Sequence, residues 1–255
     1  MVKLPKTPSF RLDGRRALVT GGGRGIGLAA AAGLAEAGAH ILLAARTMAE
    51  ITEAASAIKA AGGSAEAIQL DVTDLSAVER AVSGTGPFDI LVNNAGINRP
   101  RPMIEMSAKD FDAVMEVNVR AAYFVAQAVA RGMAGAGRGG SIINISSQMG
   151  HVGGPNRTVY CASKHAMEGM TKAMAFELGP RGIRVNTICP TFVETPLSQS
   201  SLAQPQFREW VMSKIKLGRL AQLEDIMAAL VFLAGDGAAM ITGSALMIDG
   251  GWTAG

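Results

Sequence analysis

The run Arg16-Ala17-Leu18-Val19-Thr20-Gly21-Gly22-Gly23-Arg24-Gly25-Ile26-Gly27 decides how this chain is read. An aliphatic run of strand length meets a glycine-rich turn, and the turn opens directly into an Ala-rich helical pattern. Glycines allow a tight turn and let the backbone approach a pyrophosphate closely. The helix N-terminus adds free N–H groups and the positive end of its dipole. The spacing here is TGxxxGxG. Glycines also serve strand-to-helix turns for steric reasons alone, so the turn's place in the chain carries the argument: it is the first such turn of an alternating series.

The same rhythm continues outward from it. Strands are expected over residues 16–20, 40–45, 65–70, 89–92, 141–146, 183–188 and 245–248. Most are Val, Ile and Leu runs without polar alternation, as in strands buried on both faces. Helical patterns lie between them at 26–37, 48–61, 75–82, 109–133, 159–178 and 223–234. This alternation predicts an α/β fold: a single Rossmann-type, doubly wound parallel sheet of about seven strands, with right-handed crossovers and helices on both faces. Glycines follow the predicted helices at Gly38, Gly62, Gly179 and Gly235, where a left-handed cap is expected. At a nominal ~150 residues per domain the 255 residues correspond to about 1.7 domains. No linker or composition shift divides them, so 1–255 is read as one domain. Residues 190–205 are the one long stretch expected to be irregular, part of a substrate loop at about 190–215.

Composition excludes several classes. Apolar residues make up 49% and charged residues 18%, which is too apolar for a disordered chain. The 31 glycines follow no three-residue period, which excludes collagen. No apolar run approaches the ~18 residues of a membrane helix. The opening MVKLPKTPSF carries two prolines and no apolar core, against a signal peptide. Lys and Arg exceed Asp and Glu by 24 to 21, a net +3 without a dense basic block, so no nucleic-acid partner is expected. Cys161 and Cys189 form neither a disulfide framework nor a zinc motif, and His40, His151 and His165 are scattered. No metal is expected, and a reducing cytoplasm is the default compartment.

The end of the second strand selects between dinucleotides. A carboxylate there would accept hydrogen bonds from the ribose of NAD and repel a 2′-phosphate. This strand ends Leu43-Ala44-Ala45-Arg46-Thr47, with no acid, while Arg24 sits in the glycine turn. Two guanidinium groups suit a dianionic phosphate through charge-assisted bonds. NADP(H) is therefore favoured and NAD(H) remains possible.

Further motifs follow in order: Asn93-Asn94-Ala95-Gly96, Ser147, Tyr160-Cys161-Ala162-Ser163-Lys164, and the closing Ile241-Thr242-Gly243 with Asp249-Gly250-Gly251. With the glycine turn, these resemble the short-chain dehydrogenase/reductase superfamily, including its 3-oxoacyl-carrier-protein reductases and its sugar and polyol dehydrogenases. The resemblance spans residues 12–252. It implies an NAD(P)-dependent oxidoreductase that interconverts a secondary alcohol and a ketone, with Tyr160 as general acid/base.

The chemistry agrees with that expectation. Tyr160 and Lys164 share one helix face. A carbonyl accepting hydride needs a proton, and a tyrosine can give one. Free tyrosine titrates near ~10, so work at neutral pH needs a shift of roughly 3 units, about 4 kcal/mol. A nearby ammonium favours the phenolate, and the resemblance implies that Lys164 also holds the nicotinamide ribose. Ser147 stands thirteen residues before Tyr160, at a strand end, where its hydroxyl could polarise the substrate oxygen. Ser146 competes for this role, but the spacing matches the family at Ser147. The resemblance makes Asn118 the fourth member, anchoring a water that relays protons to Lys164. It also implies Asp71 and Val72 beside the adenine, Asn93, Ala95 and Gly96 along the ribose and phosphates, and Pro190, Val193 and Thr195 near the nicotinamide. One departure is Pro190-Thr191, where the family usually has Pro-Gly: Thr191 is either strained or narrows the pocket.

Substrate-facing candidates are Gln148, Arg157, Phe192, His151, Asn98, Arg99 and residues 197–214. This polar mix points to a sugar, sugar acid or polyol. A 3-oxoacyl thioester is the alternative, and a non-catalytic NADP-binding regulator is the alternative of another class. An S-adenosylmethionine-dependent transferase would need an acid at the end of strand two and has no use for Tyr160 and Lys164. The long, small-residue patterns at 106–133 and 159–178 leave a second face for subunit contacts, so a homotetramer is expected.

Overall fold

A computed structural model describes residues 2–255, and every side chain among them except those of Pro196 and Leu197. Seven strands form one parallel sheet: β1 (Arg16–Thr20), β2 (His40–Ala45), β3 (Ser64–Gln69), β4 (Ile90–Asn93), β5 (Gly140–Ile145), β6 (Ile183–Pro190) and β7 (Ala245–Ile248). Their order across the sheet is β3-β2-β1-β4-β5-β6-β7. Strand order reverses between β1 and β4, and ligands of open α/β sheets bind in the crevice at such a switch point.

Because strand side chains alternate, one sheet feeds two cores. Ala17, Val19, Ile41 and Leu43 face one layer, built from α1 (Gly25–Glu36), α2 (Met48–Ala60) and α9 (Leu223–Ala234). Leu18, Leu42 and Leu91 face the other, built from α3 (Leu75–Thr85), α5 (Ala122–Ala136) and α6 (Thr158–Leu178). Each such leucine is buried, which stabilises the sheet by roughly 1.5–3 kcal/mol apiece.

The structure departs from the sequence reading in three places. The pattern at 109–133 reads as one helix, but it is α4 (Ala108–Met115) and α5 joined by a π-helical turn over Glu116–Ala121. Side-chain periodicity hardly registers one wider turn. The stretch at 190–205 is not irregular throughout. It carries α7 (Pro196–Leu202), with α8 (Pro205–Lys214) following, each started by a proline whose missing N–H costs nothing in the first turn. Of the four glycine stops, Gly38 and Gly62 are left-handed, but Gly179 and Gly235 are not, and Gly182 takes that conformation instead of Gly179.

A third, smaller core holds α7 and α8 against the body. Leu202, Val211, Ile215 and Trp252 are buried there, with Phe192, Phe207 and Trp210 packed against them. No described helix is long and apolar enough to cross a membrane.

Candidate active site

The first turn after β1 is built for close approach. Gly21 and Gly25 hold φ of 63° and 54°, which side chains rarely adopt. A Cβ on Gly27 would lie 2.1 Å from the Gly21 carbonyl oxygen, so α1 can pack against the turn only without one. Asn94 fastens the turn from β4, its Nδ2 donating to Thr20 O at 3.0 Å and to Gly21 O at 3.1 Å. Thr20 Oγ1 accepts in return from the backbone N–H groups of Asn94 and Ala95. The N-cap of α1 makes no side-chain hydrogen bond, leaving its first N–H groups facing the crevice.

An open cleft runs from this turn across the ends of β2, β3 and β4. Gly21, Gly23, Arg24, Gly25 and Ile26 line it, with Arg46, Asp71, Val72, Ala95, Gly96 and Thr195. Of the further lining residues not read from the sequence, two matter here. Asn94 takes the lining place expected of Asn93, whose buried amide instead donates to Ala122 O and Asn144 Oδ1. Glu50, from the first turn of α2, lies 3.6 Å from Arg24 and puts one carboxylate at the arginine end. Gly27 supports the turn from behind and does not line the cleft.

A second pocket opens beside the first, over the ends of β5 and β6. Ser147, Gln148, Arg157, Tyr160, Lys164, Pro190, Phe192, Val193 and Thr195 all line it. Ser147 Oγ donates to Gln148 Oε1 at 2.8 Å and accepts from Met149 N. Burial pushes the Tyr160 hydroxyl up to about 12, against the pull of its hydrogen bond with Ser147. Burial drives Lys164 the other way, down to about 8, while Cys189 and Glu168 support its charge. Its ammonium donates to Ile145 O at 2.7 Å and stands 5.7 Å from the Tyr160 ring centroid.

Asn118 sits inside the π-helical turn and is fully buried. Its Oδ1 accepts from Ile97 N, and its Nδ2 donates to Ile97 O and Ser163 Oγ. Ser163 Oγ in turn donates to Tyr160 O. The side chain therefore ties the segment after β4 to the helix carrying Tyr160 and Lys164. Widened turns of this kind occur often at functional sites.

Three buried polar atoms on described residues lining this pocket have no partner: Asn98 Oδ1, Ser146 Oγ and Thr191 Oγ1. Such atoms are costly to bury unpaired. Thr191 is not strained: among described residues Asn156 alone combines a side chain with positive φ, so Thr191 narrows the pocket instead.

Arg157 is 4% exposed, with its guanidinium against Phe192 and Phe207 at 5.5 and 4.6 Å from the ring centroids. It donates to Pro155 O and to Ser201 Oγ on α7. No described carboxylate pairs with it or lines the pocket. Two other sequence candidates lie elsewhere. Arg99 is 3.9 Å from Asp110, and His151 turns behind the pocket toward Cys189 and Glu168. Leu197, where the expected substrate segment begins, has a side chain outside the described set, while Ser198 and Ser201 of that segment do line the pocket.

Residues 21–253 match the family described as "Enoyl-(Acyl carrier protein) reductase". L-xylulose reductase from Bos taurus is 42% identical over 245 residues, covering 96% of this chain and 99% of the relative. Gluconate 5-dehydrogenase from Gluconobacter oxydans (strain 621H) is 41% identical over 248 residues, covering 96% of each. A gluconate 5-dehydrogenase from Burkholderia cenocepacia J2315, solved in complex with NADP and tartrate, superposes with a TM-score of 0.93 at 38% identity, covering 96% of this chain and 98% of that one. The chain belongs to the short-chain dehydrogenase/reductase superfamily. Like its relatives in that superfamily, this protein is an NAD(P)-dependent oxidoreductase interconverting a secondary alcohol and a ketone.

Proposed function

We propose that this short-chain dehydrogenase/reductase acts on a small polyhydroxylated acid, a sugar acid, with NADP(H) as its favoured cofactor. The observation that carries the reading is Arg157, a buried cation facing a pocket whose described lining contains no carboxylate. A guanidinium taken out of water needs an anionic or strongly accepting partner, and a substrate carboxylate supplies one bidentately. Asn98, Ser147, Thr191 and Ser198 along the lining supply hydrogen-bonding side chains for hydroxyl groups. A 3-oxoacyl thioester, mostly apolar along its acyl chain, would leave them unused. Relatives that include gluconate 5-dehydrogenases, one solved with NADP and tartrate, support the same substrate class and cofactor.

The cleft fits a phosphorylated dinucleotide. Its glycine turn excludes a Cβ where the pyrophosphate would approach, and Arg24 and Arg46 stand at the end where a 2′-phosphate would lie. When bound, the nicotinamide donates or accepts the hydride. The chain's own residues manage the proton. Ser147 Oγ hydrogen-bonds the substrate oxygen, and Tyr160 Oη gives it a proton in reduction or takes one in oxidation. Lys164 favours the phenolate, while Asn118 positions the helix that carries both. We assign Asp71 and Val72 to the adenine, and Pro190, Val193 and Thr195 to the nicotinamide end.

The exposed Phe111, Tyr123 and Phe176 on α4, α5 and α6 support a homotetramer, and the free thiols of Cys161 and Cys189 suit a reducing cytoplasm. A panel of keto sugar acids and matched neutral ketoses with NADPH tests the substrate class. Arg157→Met is predicted to cut kcat/KM for the acids by about 10- to 100-fold, the loss of a charge-assisted bond, and to spare neutral ketoses. Equal losses on both would reduce Arg157 to a packing residue. Tight NADPH binding without turnover of any compound would favour the regulator.

A further inference from the structure

His151, Glu168 and Cys189 come together behind the substrate pocket from three separate elements: the segment after β5, helix α6 and strand β6. The proposed catalysis uses none of them. Cys189 Sγ is 3.5 Å from His151 Nε2 and 3.3 Å from Glu168 Oε1, and the last two atoms are 3.6 Å apart. A tetrahedral zinc ion with its usual bond lengths requires separations of about 3.5 Å (S to N), about 3.5 Å (S to O) and about 3.3 Å (N to O). The three donor atoms are already within about 0.3 Å of that arrangement.

We propose that His151, Glu168 and Cys189 form a site for a zinc ion behind the substrate pocket. The donor set, one thiolate, one imidazole and one carboxylate, is the mixture zinc prefers over harder divalent ions. Thr187 Oγ1 donates to Glu168 Oε2 at 2.9 Å, which orients the carboxylate and leaves Oε1 toward the ion, as outer-shell partners of metal ligands do. Access is from the His151 side: its side chain is 31% exposed, whereas Glu168 and Cys189 are buried. Binding needs no oxidant. The Cys189 thiol releases its proton to solvent, its sulfur lone pair bonds to zinc, and the fourth position is left for a water.

The test uses the full chain stripped of metal with a chelator, then titrated with Co²⁺ and with Zn²⁺. One cobalt ion per chain is expected, with a thiolate-to-cobalt charge-transfer band, displaced by zinc with release of one proton from Cys189. Cys189→Ser should abolish the band and weaken zinc at least tenfold. His151→Ala, on the accessible side, should weaken zinc similarly and guards against a folding defect at the buried cysteine. Cys161→Ser should change nothing. An absent band, undiminished zinc affinity in both Cys189→Ser and His151→Ala, or loss of binding in Cys161→Ser would overturn the site.

Discussion

Replacing Lys164 with methionine separates the proton chemistry of the site from cofactor capture. With Tyr160 at about 12, its phenol is protonated throughout the neutral range, as reduction requires. Oxidation needs the phenolate. Bringing a pKa of about 12 to about 7 requires roughly 7 kcal/mol at ~1.36 kcal/mol per unit. The Lys164 ammonium stands 5.7 Å from the ring centroid. At an effective dielectric constant of about 20, a unit charge there favours the phenolate by about 3 kcal/mol, or about 2 pKa units. A positive neighbour lowers the phenol's pKa, so its removal raises it. Lys164→Met is therefore predicted to slow oxidation about 100-fold below about pH 8, where the ammonium is charged, and to change it little above that pH. Reduction near neutrality should lose much less. Because Lys164 titrates at about 8, its assistance is fully present below that pH and fades above it. The assay is kcat in both directions at saturating cofactor, from about pH 6 to about pH 10. Equal losses in both directions at every pH would refute the electrostatic role.

Other perturbations probe the rest of the structure. Gly27→Ala forces a Cβ within 2.1 Å of Gly21 O, and its overpacking cost of about 1–3 kcal/mol should appear as a lower Tm together with weakened NADPH binding by calorimetry. Arg46→Ala should reduce the preference for NADPH over NADH by about tenfold, whereas Glu50→Gln, which removes the carboxylate beside Arg24, should raise it about threefold; kcat/KM for the two cofactors checks both. The hydrogen bonds from Arg219, and that from Gln222 N, hold Asp225 down to about 2. Its stabilisation is present above the ordinary carboxylate pKa and is lost as pH falls through about 2. Asp225→Asn should cost about 1 kcal/mol in urea unfolding at neutral pH and nothing once the carboxyl is protonated.

What could be read in the sequence was what neighbours in the chain determine. Apolar runs placed all seven strands to within a few residues, and the family resemblance named Ser147, Tyr160 and Lys164, side chains that the structure brings into one pocket. Side-chain direction was harder. Asn93 and Asn94 are chemically identical, but Asn93 ends the strand with its amide turned into the interior, so Asn94 lines the cleft. The π-helical turn around Asn118 widens the helix without interrupting its apolar pattern. Glu50 meets Arg24 only because α2 folds back beside the glycine turn. His151, Glu168 and Cys189 lie too far apart in sequence for any spacing motif, and only the packing of α6 on β6 assembles them. Residues 196–214 carry no strong periodicity, and the aromatic cluster around Trp252 orders them instead.

The central claim is that Tyr160 transfers the proton while NADP(H) exchanges hydride with a sugar acid. Single-turnover reduction of a keto sugar acid by NADPH, followed by nicotinamide absorbance in wild type and in Tyr160→Phe, tests it most directly. The account predicts turnover in wild type and a loss of at least about 100-fold in Tyr160→Phe, with NADPH affinity retained. Full activity in Tyr160→Phe would contradict it.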